Sequence, residues 1–138
     1  MNTIKAGYEE IDHTADWALR AWAPDLPGLF EQAALGMYAL MNTRIVDGGE
    51  RVRRELNFEA LDLESLLVVF LGELLYLDEV EGLAFDQFAI QVGEENLVVV
   101  AEGGAVDGQT RIIKAVTYHG LAVEAVPGGY QAQVVFDV

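Results

Sequence analysis

The chain has 138 residues, a length that suits one domain, and 52% of them are apolar, enough for a core and against global disorder. Its 23 acidic and 8 basic residues leave a formal net charge of −15, which opposes unaided binding to nucleic acid and suits cations or a basic protein partner. There is no cysteine, so disulfides, thiolate catalysis, Fe–S clusters and Cys-type zinc sites are excluded.

The segment Met1–Gly7 has neither a basic n-region nor an apolar h-region, so no secretory leader is expected. Two extended stretches follow, Gly7–His13 and Asp16–Trp22, the second alternating Trp17, Leu19 and Ala21 with Ala18, Arg20 and Trp22. Pro24-Asp25 breaks the pattern. A helix is expected over Leu26–Met41, capped by Asp25 with Pro27 in its tolerant first turn. Leu26, Leu29, Phe30, Ala33, Ala34, Met37, Tyr38 and Met41 form its apolar face, and Asn42-Thr43 ends it.

Asp47-Gly48-Gly49 reads as a turn and Glu50–Leu61 as a strand, with Arg54 interrupting the apolar parity of Val52, Leu56 and Phe58. Asp62 caps a second helix over Leu63–Leu77. Leu63, Leu66, Leu67, Phe70, Leu71, Leu74 and Leu75 make its stripe, and Val68 and Val69 widen it, so the helix is expected to be covered on much of its circumference. This most apolar region is too short and interrupted to span a bilayer, which needs about 20 apolar residues. A cytoplasmic protein with no membrane partner is expected.

Strands fill the remainder: Leu83–Val92, Asn96–Ala101, a long bent strand over Arg111–Val126 with Gly120 as a bulge, and Tyr130–Val138. Gly103-Gly104 and Asp107-Gly108 read as turns, and Pro127-Gly128-Gly129 as a hairpin loop. The order β-β-α-β-α-β-β-β-β implies an α+β fold, a mostly antiparallel β-sheet with two packed α-helices, as a single compact domain over residues 1–138.

Few residues can carry chemistry. His13 and His119 are the only histidines and Ser65 the only serine, so a three-histidine metal site is impossible and a serine triad is disfavoured. No phosphate-binding glycine motif is present. Asp12-His13-Thr14-Ala15-Asp16 sets two carboxylates, an imidazole and a hydroxyl at a strand junction. It reads either as an Asx or ST turn or as a set of oxygen donors. Asp137 stands beside the final residue, Val138, whose α-carboxylate is a further anion. Pairing of this strand with the Asp12–Asp16 strand would converge hard oxygen donors suited to Ca²⁺, Mg²⁺ or Mn²⁺; a solvated chain end is the alternative. Lys114 interrupts an apolar strand and reads as an ion-pair partner, a functional cation or a solvent-facing side chain.

These segments together resemble the archease family. The resemblance rests on Tyr8-Glu9-Glu10-Ile11-Asp12-His13-Thr14-Ala15-Asp16, on Leu29–Met37, on Glu73–Leu77 followed by Glu81–Phe85, on Ile113-Lys114-Ala115-Val116-Thr117-Tyr118-His119-Gly120-Leu121, and on the Phe136-Asp137-Val138 ending. One departure stands out. Before the lysine motif the family usually carries a Gly-Glu pair, a further histidine and an acid two residues before the lysine, whereas this chain has Glu102-Gly103-Gly104 and Arg111-Ile112-Ile113-Lys114.

The resemblance implies a non-catalytic accessory protein of an RtcB-type RNA ligase in tRNA splicing and RNA repair, promoting ligase guanylylation and multiple turnover. It implies a metal site at Asp16, Asp137 and the Val138 carboxylate, with Ca²⁺ the ion usually associated with it. Asp12, His13, Lys114 and His119 are candidates for further functional contacts. Two other readings stand beside it: a metal-dependent phosphoester hydrolase using His13, and a Ca²⁺-stabilised chaperone or adaptor without effect on a ligase.

Overall fold

A computed structural model describes residues 3–11 and 16–138. Of the residues singled out above, Asp12 and His13 lie outside the described residues. The strands are β1 (Gly7–Ile11), β2 (Trp17–Ala23), β3 (Arg44–Ile45), β4 (Val52–Glu59), β5 (Leu83–Val92), β6 (Asn96–Gly108), β7 (Ala115–Val116), β8 (Val123–Val126) and β9 (Gly129–Asp137). The helices are α1 (Leu26–Met41) and α2 (Leu63–Glu81). The result is the expected α+β fold with antiparallel pairing throughout, but the strands divide into two sheets. In the five-stranded sheet, β9 pairs with β2 along one edge and with β8 and β7 in succession on the other, while β1 adds outside β2. In the four-stranded sheet, β6 takes β3, β4 and β5.

Local chemistry explains the helices. Asp25 and Asp62 both adopt extended backbone, and each carboxylate accepts the N–H three residues on, Gly28 at 2.8 Å and Ser65 at 2.7 Å. Each helix ends on a left-handed residue, Asn42 (φ 53°) and Gly82 (φ 66°), whose N–H returns to the last turn. α2 runs four residues past its expected end at Leu77, because Leu77 and Asp78 continue its buried stripe. The two helices pack on each other. α1 lies against β1 and β2 of one sheet and β5 of the other. Phe70 of α2 is the hub of the core, with ring centroids 6.3 Å from Phe30, 6.4 Å from Phe58 and 6.0 Å from Phe88.

Several expectations are corrected. Gly103-Gly104 and Asp107-Gly108 are not turns but lie inside β6. A side chain at Gly103 would collide with the Ala84 carbonyl where β5 shifts register, so this glycine serves close strand approach. The segment Glu102–Gly104 is therefore strand rather than loop. Arg111–Val126 is not one bent strand: it breaks into β7 and β8, and Gly120 (φ 63°) forms the turn between them instead of a bulge. α2 is covered on much of its circumference, Val68 and Leu75 being half-buried, but it leaves Val69, Tyr76 and Val80 exposed along one line. The strand expected over Glu50–Leu61 is trimmed to Val52–Glu59, where Arg54 keeps its place on the inward parity by pairing with Glu81 at 2.7 Å. The Pro127-Gly128 hairpin is as expected, with Gly128 at φ 84° joining β8 to β9.

Candidate functional site

The site is built where β2 begins and β9 ends. Trp17 pairs with Phe136 at the end of this antiparallel edge, so Asp16, the residue before β2, and Asp137, the last residue of β9, lie at the same end of the sheet. On the other edge of β9, Ala115 pairs with Asp137 and the Lys114 N–H donates to the Asp137 carbonyl at 2.8 Å. Asp137 is thus held between two neighbours, its side chain exposed, while Asp16 and Val138 are half-buried.

The structure brings Asp16, Asp137, Val138 and the Lys114 backbone to one sheet end. Lys114 is exposed and forms no ion pair among the described residues. His119 is not brought there. It is exposed on the turn after β7, its N–H bonded to the Thr117 hydroxyl at 3.2 Å. Neighbouring Gly120 lines a small cleft with Arg20 and Gln133, four residues, or about 13 Å of strand, from Asp137. Among the described residues no three His, Asp or Glu side chains are close enough to hold a metal ion. The groups at this end are two side-chain carboxylates and the Val138 terminus, oxygen donors of the hard kind that Ca²⁺ or Mg²⁺ prefers.

Two features escaped the sequence reading. The Arg111 guanidinium sits 4.0 Å above the ring of Trp17 and also pairs with Glu10 at 3.2 Å. This cation–π contact braces the residue next to Asp16 from a loop 94 positions away, and no local signal announces it. The second feature is a polar cluster at the C-terminal ends of both helices. The Gln109 amide donates to the Asp78 carboxylate at 3.4 Å and the Thr43 hydroxyl donates to Gln109 at 2.9 Å. Burial raises the Asp78 pKa, the Gln109 hydrogen bond opposes that shift and the charge of Glu79 adds to it. Burial also pushes the Tyr38 hydroxyl up, the Phe85 backbone opposing that shift and the Asp78 charge adding to it. Asp78 lies just past the expected helix end at Leu77 and close to Glu79 and Glu81, so nothing in the sequence signalled that it alone would be buried.

An apolar hollow of about 490 Å³, lined by Leu26, Leu63 and Val92 among others, lies past the other end of β2 from Asp16. No helix among the described residues is long and apolar enough to cross a membrane.

Comparison with known proteins places this arrangement. The Archease protein family model matches residues 8–138. Protein archease of Pyrococcus furiosus is 33% identical over 141 residues, covering 95% of this chain and 98% of that protein. Protein archease of Methanosarcina barkeri is 38% identical over 148 residues and covers both chains in full. The solution structure of Methanobacterium thermoautotrophicum protein 1598 superposes with a TM-score of 0.73 at 32% identity, over 96% of this chain and 99% of that one. The crystal structure of an archease, possible chaperone, from Thermotoga maritima has the same fold, with a TM-score of 0.67 at 22% identity over 94% and 96% of the two chains.

Proposed function

The chain belongs to the archease family, and from that premise we propose that it is a non-catalytic accessory protein of an RtcB-type RNA ligase, acting in the cytoplasm in tRNA splicing and RNA repair. Its role in this reading is to promote guanylylation of the ligase and so permit repeated turnover. The observation that carries the reading is that Asp16, just before β2, lies at the sheet end where β9 closes on Asp137 and Val138. These residues supply hard oxygen donors for a divalent cation, Ca²⁺ first and Mg²⁺ or Mn²⁺ as substitutes. When bound, the cation supplies a positive centre for phosphate oxygens.

The chain's own groups prepare that end. The Lys114 N–H fixes the Asp137 backbone, and Arg111 over Trp17 braces the strand that carries Asp16. The exposed Lys114 side chain adds a cation able to meet a phosphate or carboxylate of the partner. A net charge of −15 steers the chain toward the basic cleft expected of an RNA-handling enzyme and keeps it from RNA itself. The chaperone reading printed for the Thermotoga maritima relative shares this surface but needs no ligase. The hydrolase reading rests on His13, which lies outside the described residues.

RNA ligation with limiting ligase, run with and without this protein, tests the proposal. Stimulation beyond one turnover is expected, together with Ca²⁺ binding by calorimetry. Asp16→Ala and Asp137→Ala should lose both, while His119→Ala should retain them. Full stimulation by both aspartate variants, or phosphatase activity without ligase, overturns the reading.

A further inference from the structure

Of the eight large apolar side chains exposed among the described residues, four lie between Leu61 and Val80. Three of them, Val69 (37% exposed), Tyr76 (54%) and Val80 (59%), belong to α2. Steps of seven and four residues place all three within about 40° of one line along the helix. Gly72 stands beside that line, and a Cβ built on it meets nothing within 4 Å. Glycine in a helix interior sacrifices stability relative to alanine, and here no internal contact requires it. The space over it is open to the approach of another backbone.

Charge selects the visitor. Arg51 to Thr110 holds thirteen of the chain's 23 acidic residues against three arginines, and two of those, Arg51 and Arg54, are already paired with Asp86 and Glu81. Glu73 and Glu79 flank the apolar line on α2 itself. A second copy would bring the same acidic field and be repelled, as would a nucleic acid.

We infer that the outward face of α2 is a docking surface for a basic protein segment with apolar anchors, the anchors covering Val69, Tyr76 and Val80 and the segment's backbone approaching over Gly72. Apolar burial supplies the affinity, and the acidic surround supplies selection and encounter rate. This surface shares no residue with the Asp16–Asp137 end and stands whether or not that end serves a ligase.

The probe is an amphipathic Leu/Lys helical peptide of about 18 residues, titrated into the isotope-labelled protein. Two controls accompany it, one with its leucines replaced by serine and one with its lysines replaced by glutamate. Amide shifts are expected along α2, with binding weakened about tenfold by Tyr76→Ser and by Gly72→Leu. Both positions are open, so melting temperature should show that the variants fold. Equal binding of the serine control would reduce the effect to bulk charge and overturn the inference. So would unchanged affinity in both variants, or shifts confined to other elements. A dimer of the protein alone, dissolved by Tyr76→Ser in sedimentation velocity, would make a second copy the occupant and overturn it as well.

Discussion

Asp25 and Asp62 open their helices with the same cap, and Asn42 and Gly82 close them with the same left-handed turn, yet α1 and α2 are covered to different extents. α1 is packed against strands of both sheets as well as against α2, and every apolar residue of its expected face except half-buried Leu26 is buried. α2 also meets α1 and strands of both sheets, yet it leaves Val69, Tyr76 and Val80 to solvent. Their internal glycines show the difference most sharply. A Cβ at Gly36 would stand 2.8 Å from the Leu19 methyl carbons, while one at Gly72 would touch nothing. The same residue type in the same type of element thus answers to close packing in one helix and to open space in the other. Local sequence rules build a helix; the layers around it decide what each face is for.

The largest test of this contrast is Phe70→Ala, on the buried side of α2. It empties the hub shared with Phe30, Phe58 and Phe88 and should cost about 3–5 kcal/mol in denaturant unfolding. A loss under about 1 kcal/mol would mean that α2 contributes far less to the core than α1. Next, Gly36→Ala should cost about 1–3 kcal/mol, because the new methyl must displace Leu19. Asp25→Ala removes the α1 cap and should cost about 1 kcal/mol. Gly72→Ala should act in the opposite direction to Gly36→Ala and stabilise by about 0.5–1 kcal/mol. Both glycine variants are read in the same melts, and effects of equal sign would remove the distinction between the helices.

The smallest expected effect concerns Asp78, where the two helix ends meet. Burial raises its pKa, so the folded chain holds this proton more tightly than the unfolded chain. The stability linked to the group is full below the unfolded pKa and is lost as pH rises through the folded one. Asp78→Asn can still accept from Gln109 and does not ionise, so it should melt higher than the parent near neutral pH. The two should converge below about pH 3.5. A constant difference across that range would assign the effect to packing.

Much of the site was legible before the fold was known. Asp16 and Asp137 stood out as hard donors without a histidine or cysteine set to compete, and the Lys114 motif sat in a strand that does reach Asp137. The register Trp17–Phe136 was not legible, because either edge of β9 was open to β2 as far as its alternation could tell. Arg111 over Trp17 was hidden for a similar reason: a cation–π contact leaves no mark in the spacing of either partner.

By itself, the sequence determined the two helices and their N-terminal caps, the hairpin at Pro127-Gly128, most of the strand-forming runs, the acidic character and the donor chemistry available. Each of these depends on dihedral preference, periodicity or composition, all of which act within a few residues or on the chain as a whole. Only the tertiary structure decided that the strands form two sheets, that Gly103 lies inside β6 against Ala84, that Asp16 and Asp137 come to the same sheet end, and that α2 leaves Val69, Tyr76 and Val80 exposed. These outcomes depend on which distant segments compete for the same edge or face, and a glycine, a carboxylate or an apolar stripe reads identically in the chain whichever neighbour finally meets it.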